Sequence, residues 1–377
     1  MKFAAFTTVA ASAGEATNAA QMIDNIRRQA VLAEELGFEA IWLGERHFGP
    51  YAAGDLPNPI LLGADLAART SRIRIGQMAN IAPWWHPIRL AEDIAILDNM
   101  TGGRVEVGFG RGIWPYEGPQ FHPNADPRKE AESRELFRET VEIVREIWTN
   151  EYFSHAGENY TFPVDDTVFS HPKFPSNPAW QEGDRVTRLR VTPRPFQQPY
   201  PPLWMTVSTD RSVSTAAEMG LKACYWQPPP LRVRQRMELY AQIRTELEGR
   251  TFRIGEDQGV MRSTYVASSM EEARRDAEEG IMSAFIFNDP FRGRQVFTNP
   301  DEELDPSVNL DWDFLEPRTL LVGSPDNVIE KVHELQEVCN LDYLLVEFAH
   351  MGMPLKKTLK NLEAFATRVM PRFADTP

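Results

Sequence analysis

Three polar clusters in this chain have residue types and spacing suited to chemistry, and each follows a short apolar run. Glu45-Arg46-His47-Phe48 comes after the run 38–44. A carboxylate, a guanidinium and an imidazole in succession can tune one another's pKa and move protons. The same triplet also reads as a salt-bridged strand end. Gly110-Arg111-Gly112 comes after the run 105–109. Glycines admit close backbone approach, and an arginine between them can grip a phosphate. A plain surface turn has the same composition. Ser208-Thr209-Asp210-Arg211-Ser212 comes after the run 203–207 and leads into a helical pattern. Hydroxyls and free amides at a helix N-terminus form an anion site, and an ordinary Ser/Thr cap uses the same residues. If one face of the molecule collects all three clusters, they describe a phosphorylated ligand beside a titratable group.

The elements that must position these clusters alternate along the chain. Nearly continuous apolar runs at 2–8, 38–44, 73–79, 105–109, 203–207, 221–225, 260–267 and 341–348 read as strands buried on both faces. Helical spacing lies between them. Met22, Ile26, Ala30 and Ala33 mark one face, closed by Gly37; Leu90, Ile94 and Leu97 mark another. Further helices are expected over 60–70, 128–149, 212–219, 231–247 and 355–369. Ser268-Ser269 ahead of Glu271-Glu272 signals a capping box, and Ser324-Pro325 opens a helix whose face is Ile329, Val332, Leu335 and Cys339.

Eight strand–helix alternations predict an α/β fold, a (β/α)8 TIM barrel forming one domain over 1–377. An open doubly wound sheet is the structural alternative. The glycine cluster at 108–112 lacks the nucleotide-binding spacing and runs into Trp114-Pro115, which argues against it. In a parallel barrel the strand C-termini share one rim, so the three clusters would meet. Residues 150–200 and 288–318 break the rhythm and read as loop insertions over the active site, or as plain surface loops.

The formal charge of -14 disfavours nucleic acid and anionic membranes as partners. Cys224 and Cys339 read as two buried thiols in a reducing compartment. Lys2, the run 3–10 and Ala11-Ser12-Ala13 faintly resemble a leader, but Thr7 and Thr8 interrupt the run and a first strand fits better. No run reaches the roughly 18 apolar residues of a membrane span, so a cytoplasmic location is expected. No helix-spaced histidine pair suggests a metal. His86 and His122 read as structural loop histidines, His350 as a mouth or rim residue, and His155, His171 and His333 as surface residues.

At these same residues the chain resembles the bacterial luciferase-like, flavin-dependent monooxygenases, over nearly its whole length. The most specific stretch runs from Pro83 through His86-Pro87, Arg89-Leu90-Ala91-Glu92-Asp93, Leu97-Asp98, Met100 and Gly103-Arg104 to Gly108, Arg111 and Gly112. Glu45 to Phe48 resembles the family's Glu-His-His-Phe strand end. Pro202 to Val207 ahead of Ser208-Thr209, Gly323-Ser324-Pro325 and Glu347-Phe348 add to the likeness.

The resemblance implies a (β/α)8 barrel, usually dimeric, that binds reduced FMN supplied by a separate reductase. It places Arg111, Arg134, Ser208, Thr209 and Ser212 at the phosphate, and Glu45, Met78 and Ala79, with a cis peptide at the last two, beside the flavin ring. It implies oxygenation of an apolar aldehyde or ketone through a flavin hydroperoxide, with His47 and Glu45 handling the proton and Arg46 stabilising charge. Trp84, Trp85, Trp114 and Trp226 would shape an aromatic pocket or pack the rim. Two positions depart from the luciferases. Arg46 stands where they have the first histidine of the pair, and Gly110 where they have a reactive cysteine on the fourth strand, which removes the expectation of light emission. Two other readings remain: hydride transfer with a deazaflavin on the same fold, and a non-catalytic flavin-binding protein.

Overall fold

A computed structural model describes residues 1–7, 18–49, 56–305 and 308–374. Eight strands carry the architecture: β1 Lys2–Thr7, β2 Ala40–Leu43, β3 Arg74–Ile81, β4 Val105–Gly110, β5 Leu203–Val207, β6 Lys222–Trp226, β7 Gln258–Val266 and β8 Tyr343–Glu347. They lie in the order β6-β5-β4-β3-β2-β1-β8-β7, and β6 pairs again with β7, so the sheet closes into a (β/α)8 barrel. The registers are parallel; Ala4, for example, sits opposite Ala40 on one side and Leu345 on the other. Closure leaves no free sheet edge.

The helices follow the strands in turn. They are α1 Ala19–Glu35, α2 Pro59–Ala67, α3 Pro87–Thr101, α4 Glu130–Thr149, α5 Asp210–Glu218, α6 Pro230–Glu248, α7 Met270–Arg292, α8 Trp312–Thr319, α9 Pro325–Cys339 and α10 Leu355–Arg368. Their starts are chemically marked. Asn58, Thr209, Ser269, Asp311 and Ser324 each accept a first-turn backbone N–H, the arrangement that short polar side chains provide at an N-cap.

The chain divides into two compact units, residues 1–79 with 203–377, and residues 80–202. In the larger unit Ala4, Ala40, Trp42, Met78, Trp204, Cys224, Met261 and Leu345 pack together. Trp42 is fully buried, meets Trp204 edge-on at 5.7 Å between ring centroids, and donates its indole N–H to the Tyr343 hydroxyl at 3.0 Å. Its ring covers Gly76 on the neighbouring strand so closely that a Cβ there would overlap it. In the smaller unit the buried Trp148 indole donates to Ala91 O at 3.1 Å, and buried Asp98 accepts from both Gln197 N and Gln197 Nε2 at 2.8 Å. Two short hairpins, His155–Ala156 with Thr161–Phe162 and Gln181–Glu182 with Arg185–Val186, occupy part of 150–200.

The departures from the sequence reading have local causes. β2 begins at Ala40 rather than 38, because Gly37 at φ +84° turns the chain and the Phe38 N–H is still bonded to Ala33 O of α1. Residues 288–318 are substantially helical. α7 continues past Pro290 to Arg292, a tight turn spans Arg294–Phe297, and α8 buries Trp312, Phe314 and Leu315 in one cluster with Phe297 and Phe285. A short strand, Leu321–Gly323, pairs with the end of β7 and was not expected. Thr8, read as the last residue of the first strand, and the leader-like Ala11-Ser12-Ala13 lie outside the described residues. Among the described residues no helix is long and apolar enough to cross a membrane.

Gly76→Ala is expected to destabilise the protein by about 1–3 kcal/mol or more, the usual cost of overpacking. Urea denaturation should show a lower midpoint at unchanged m-value.

Candidate active site

The described site residues of the larger unit stand at the ends of its strands. Just past β2, the Glu45 carboxylate is buried and lies 3.0 Å from His47 Nε2. A carboxylate at that nitrogen fixes the ring's orientation. Arg46, between them in sequence, places its guanidinium carbon 5.4 Å from the Phe287 ring centroid. On β3, Met78 and Ala79 are buried, and the peptide bond joining them is cis, as the resemblance implied.

A second polar group lies at the ends of β6 and β8 and on β7 between them. Glu347 ends β8, and its Oε2 accepts from Ser263 Oγ on β7 at 2.8 Å. Ser263 Oγ in turn accepts from Gln227 Nε2 at 2.8 Å, while the Gln227 carbonyl Oε1 accepts from the Ser263 N–H at 3.3 Å. Gln227, one residue past β6, is fully buried and holds a left-handed φ of +59°. Thr319 Oγ1 donates to Gln227 O at 2.7 Å and steadies that turn. Burial pushes the Glu347 carboxyl up to about 7; the Ser263 hydroxyl and the positive charge of Arg46 oppose the rise.

The start of α5 and the end of α7 complete the larger unit's inventory. Ser208 and Thr209 donate backbone N–H groups to Ser212 Oγ at 3.1 and 3.0 Å, and Thr209 Oγ1 accepts from Ser212 N at 3.2 Å. This capping box, read as the ordinary alternative for the cluster, is present. Arg292, at the last position of α7, lies with its guanidinium carbon 4.1 Å from the Trp226 ring centroid.

The smaller unit supplies its own cations. Gly110 ends β4, and Arg111 beyond it donates to Ser133 Oγ of α4 at 2.5 Å. Arg134, next on α4, is mostly buried; it pairs with Glu130 at 3.1 Å, and its Nε is buried with no hydrogen-bond partner. An orphaned guanidinium N–H fits a phosphate oxygen. Gly112 holds φ +81°, and a Cβ there would crowd Trp84 and Ile81. Trp84 itself stacks on Phe121 at 5.4 Å.

Several histidine readings need correction. His155 is not a surface residue: its Nε2 lies 3.2 Å from Glu139 and its Nδ1 3.3 Å from Glu146. His350 is buried, with Nε2 3.1 Å from Thr264 O, and burial pushes its pKa down to about 4. His86 packs edge-on against Tyr160 and Phe162, the structural role expected of it. Sequence reasoning missed Glu347, Ser263, Gln227 and Arg292 as members of polar sites. Glu347 had a usable signal, since it ends a strand as the other candidates do.

The fold is a closed parallel barrel with titratable groups at its strand ends, the place where barrel enzymes carry their active sites. Residues 1–339 match the model of the luciferase-like monooxygenases, and the chain belongs to that family. It is 26% identical to the oxygenase component of a flavin-dependent trigonelline monooxygenase from Acinetobacter baylyi, across 94% of this chain and 91% of that one. Its fold matches the FMN complex of the oxygenating constituent of 3,6-diketocamphane monooxygenase from Pseudomonas putida, with a TM-score of 0.75, 24% identity and 99% of both chains covered. It also matches an F420-dependent secondary alcohol dehydrogenase, with a TM-score of 0.69, 14% identity and 99% of both chains covered. At those identities the two structures speak for the fold alone.

Because the Glu347 pKa is raised from 4.5 to about 7, the folded state holds that proton more tightly than the unfolded state. Its contribution to stability is therefore full below the unfolded value and lost as pH rises through about 7. Glu347→Gln removes the loss. Thermal melts at pH 5 and pH 8 should show the variant gaining on the parent protein by on the order of 1 kcal/mol at the higher pH, after discounting for solvent screening.

Proposed function

We propose that this protein is the oxygenase component of a two-component monooxygenase, using reduced FMN delivered by a separate reductase. The observation that carries the reading is the buried Glu45–His47 pair at a strand end of a barrel belonging to this family. The proposal extends to a cytoplasmic homodimer.

Reduced FMN, when bound, supplies the electrons that activate dioxygen. The chain's own residues bind, shield and move protons. In the smaller unit, Arg111 is held by Ser133, and Arg134 carries an unanswered N–H; both are proposed to take the phosphate. In the larger unit, the resemblance assigns Ser208, Thr209 and Ser212 at the start of α5 a phosphate-binding role, in which they would exchange cap hydrogen bonds for phosphate oxygens. In the larger unit Met78 and Ala79 would pass the ring with backbone alone; Gly110 of the smaller unit is proposed separately as a cofactor-binding position. His47, oriented by Glu45, takes and returns the proton. Arg46 offsets negative charge that develops on the oxygenated substrate. Trp226, Phe285 and Phe297, with neighbouring ring centroids 5.2 to 5.9 Å apart, form an apolar cluster beside the end of β6 in the larger unit, which is proposed to keep water from the reacting groups there. The resemblance points to an aldehyde or ketone as the oxygenated group.

Turnover with reduced FMN under isotope-labelled dioxygen should place one labelled atom in the product. Label-free product formed without oxygen from a reduced deazaflavin would overturn the reading, as would flavin binding with no substrate oxidised across an aldehyde and ketone panel. Arg111→Ala and Arg134→Ala should each weaken reduced-FMN binding about tenfold or more. His47→Ala should lower coupled turnover by about 10²-fold or more while leaving flavin affinity within a few-fold.

A further inference from the structure

Side chains alternate across a strand, so one face of each barrel strand lines the interior. On β8, Tyr343 and Leu345 pack in the central cluster, and on β7 Met261 joins them. Two residues beyond Leu345 and Met261 stand Glu347 and Ser263, which are register partners. Both therefore point into the barrel, at the C-terminal rim where barrel enzymes hold their substrates. On its other side Glu347 is the register partner of Phe6 on β1, which packs on the same central cluster.

The hydrogen bonds around Glu347 have a fixed direction. The Ser263 N–H can only donate, so the Gln227 atom facing it at 3.3 Å is the carbonyl Oε1. That leaves Gln227 Nε2 to donate to Ser263 Oγ at 2.8 Å. The single Ser263 hydroxyl proton then goes to Glu347 Oε2, also at 2.8 Å. Oε2 is thus an acceptor, and a proton on the carboxyl sits on Oε1. Among the described residues Oε1 has no hydrogen-bond partner, and it keeps accessible surface. The neighbouring elements present few charges to it. β1 contributes the apolar Phe6 and the turn after β6 the neutral Gln227. Burial pushes the carboxyl up to about 7, against the Ser263 hydroxyl on β7 and the positive charge of Arg46 beyond β2.

We propose that Glu347 is a further catalytic residue, whose carboxyl, held at Oε2 by Ser263, donates a hydrogen bond from Oε1 to the carbonyl oxygen of the substrate. A donor there draws electron density from the carbonyl carbon and readies it for attack. A carboxyl kept neutral by an apolar site can serve as such a donor. Ser263 and Gln227 are positioning residues. The proposal deepens the monooxygenase reading and rests on it for the word substrate.

The test is equilibrium binding to the full-length protein without flavin, so that it does not depend on turnover. Acetophenone, cyclohexanone and benzaldehyde are titrated by calorimetry at pH 6 and pH 8.5. With a midpoint near 7, the neutral share of the carboxyl falls from about nine-tenths to about one-thirtieth between those values. At least one probe should therefore bind about tenfold or more tighter at pH 6. Glu347→Gln keeps a donor at either pH and should bind that probe equally at both. Glu347→Leu should bind it about tenfold or more weaker at pH 6. Ser263→Ala removes a bond that favours the ionised carboxyl, so the midpoint of the binding profile should move to higher pH; a merely structural role would leave it in place. Reduced FMN, titrated anaerobically, should bind the parent and Glu347→Gln alike, which separates a substrate carbonyl from a carbonyl of the flavin ring. Thermal melts confirm that the variants fold. The proposal is overturned if no probe binds more tightly at pH 6, if the pH dependence persists in Glu347→Gln, or if that substitution changes FMN affinity and not probe binding. Failure of the monooxygenase reading would appear separately, as absence of oxygen incorporation with the pH-dependent carbonyl binding intact.

Discussion

A closed parallel barrel has to fill its own middle, and here the Trp42 ring laid over Gly76 does much of that filling in the larger unit. The indole takes the space a side chain at 76 would need, stands edge-on to Trp204 and is anchored by Tyr343. With the interior packed by apolar groups at interior density, polar side chains find room at the strand ends. Glu45, His47, Gln227, Ser263 and Glu347 are therefore concentrated where a parallel barrel can use them.

Loss of water then sets the chemistry of those groups. Glu347 has its hydration partly replaced by the relay from Gln227 through Ser263, yet its carboxyl still titrates near neutral pH, at about 7. Glu45 spends its charge on orienting His47. The Arg292 guanidinium lies against a ring face. One desolvated rim thus holds a proton donor near neutrality, an oriented imidazole and a stacked cation. Arg46 connects them, since its charge acts on both Glu347 and Arg292.

Much of this was legible in the sequence. Strands buried on both faces read as unbroken apolar runs, so all eight barrel strands could be located, and the polar residues just past β2, β4 and β5 singled out Glu45, His47, Arg111 and Ser208 as candidates. Glu347 escaped the same rule because Phe348 follows it, so the carboxylate looked like part of an apolar run rather than its end. Gln227 was hidden by the prolines after it, which read as a turn. Arg292 and α8 lay in an acidic stretch where Pro290 and Pro317 break the helical pattern. Arg292 packs on Trp226, a residue far away in sequence, and no local pattern encodes that contact. His155 misled for the same reason: its carboxylate partners are on α4.

The account as a whole stands on reduced FMN as the redox partner of this barrel. The most direct measurement is an anaerobic fluorescence titration of the intact protein with reduced FMN and, separately, with a reduced deazaflavin. The account predicts saturable binding of one reduced FMN per chain and weak or no binding of the deazaflavin. Saturation by the deazaflavin alone, or by neither, would contradict it.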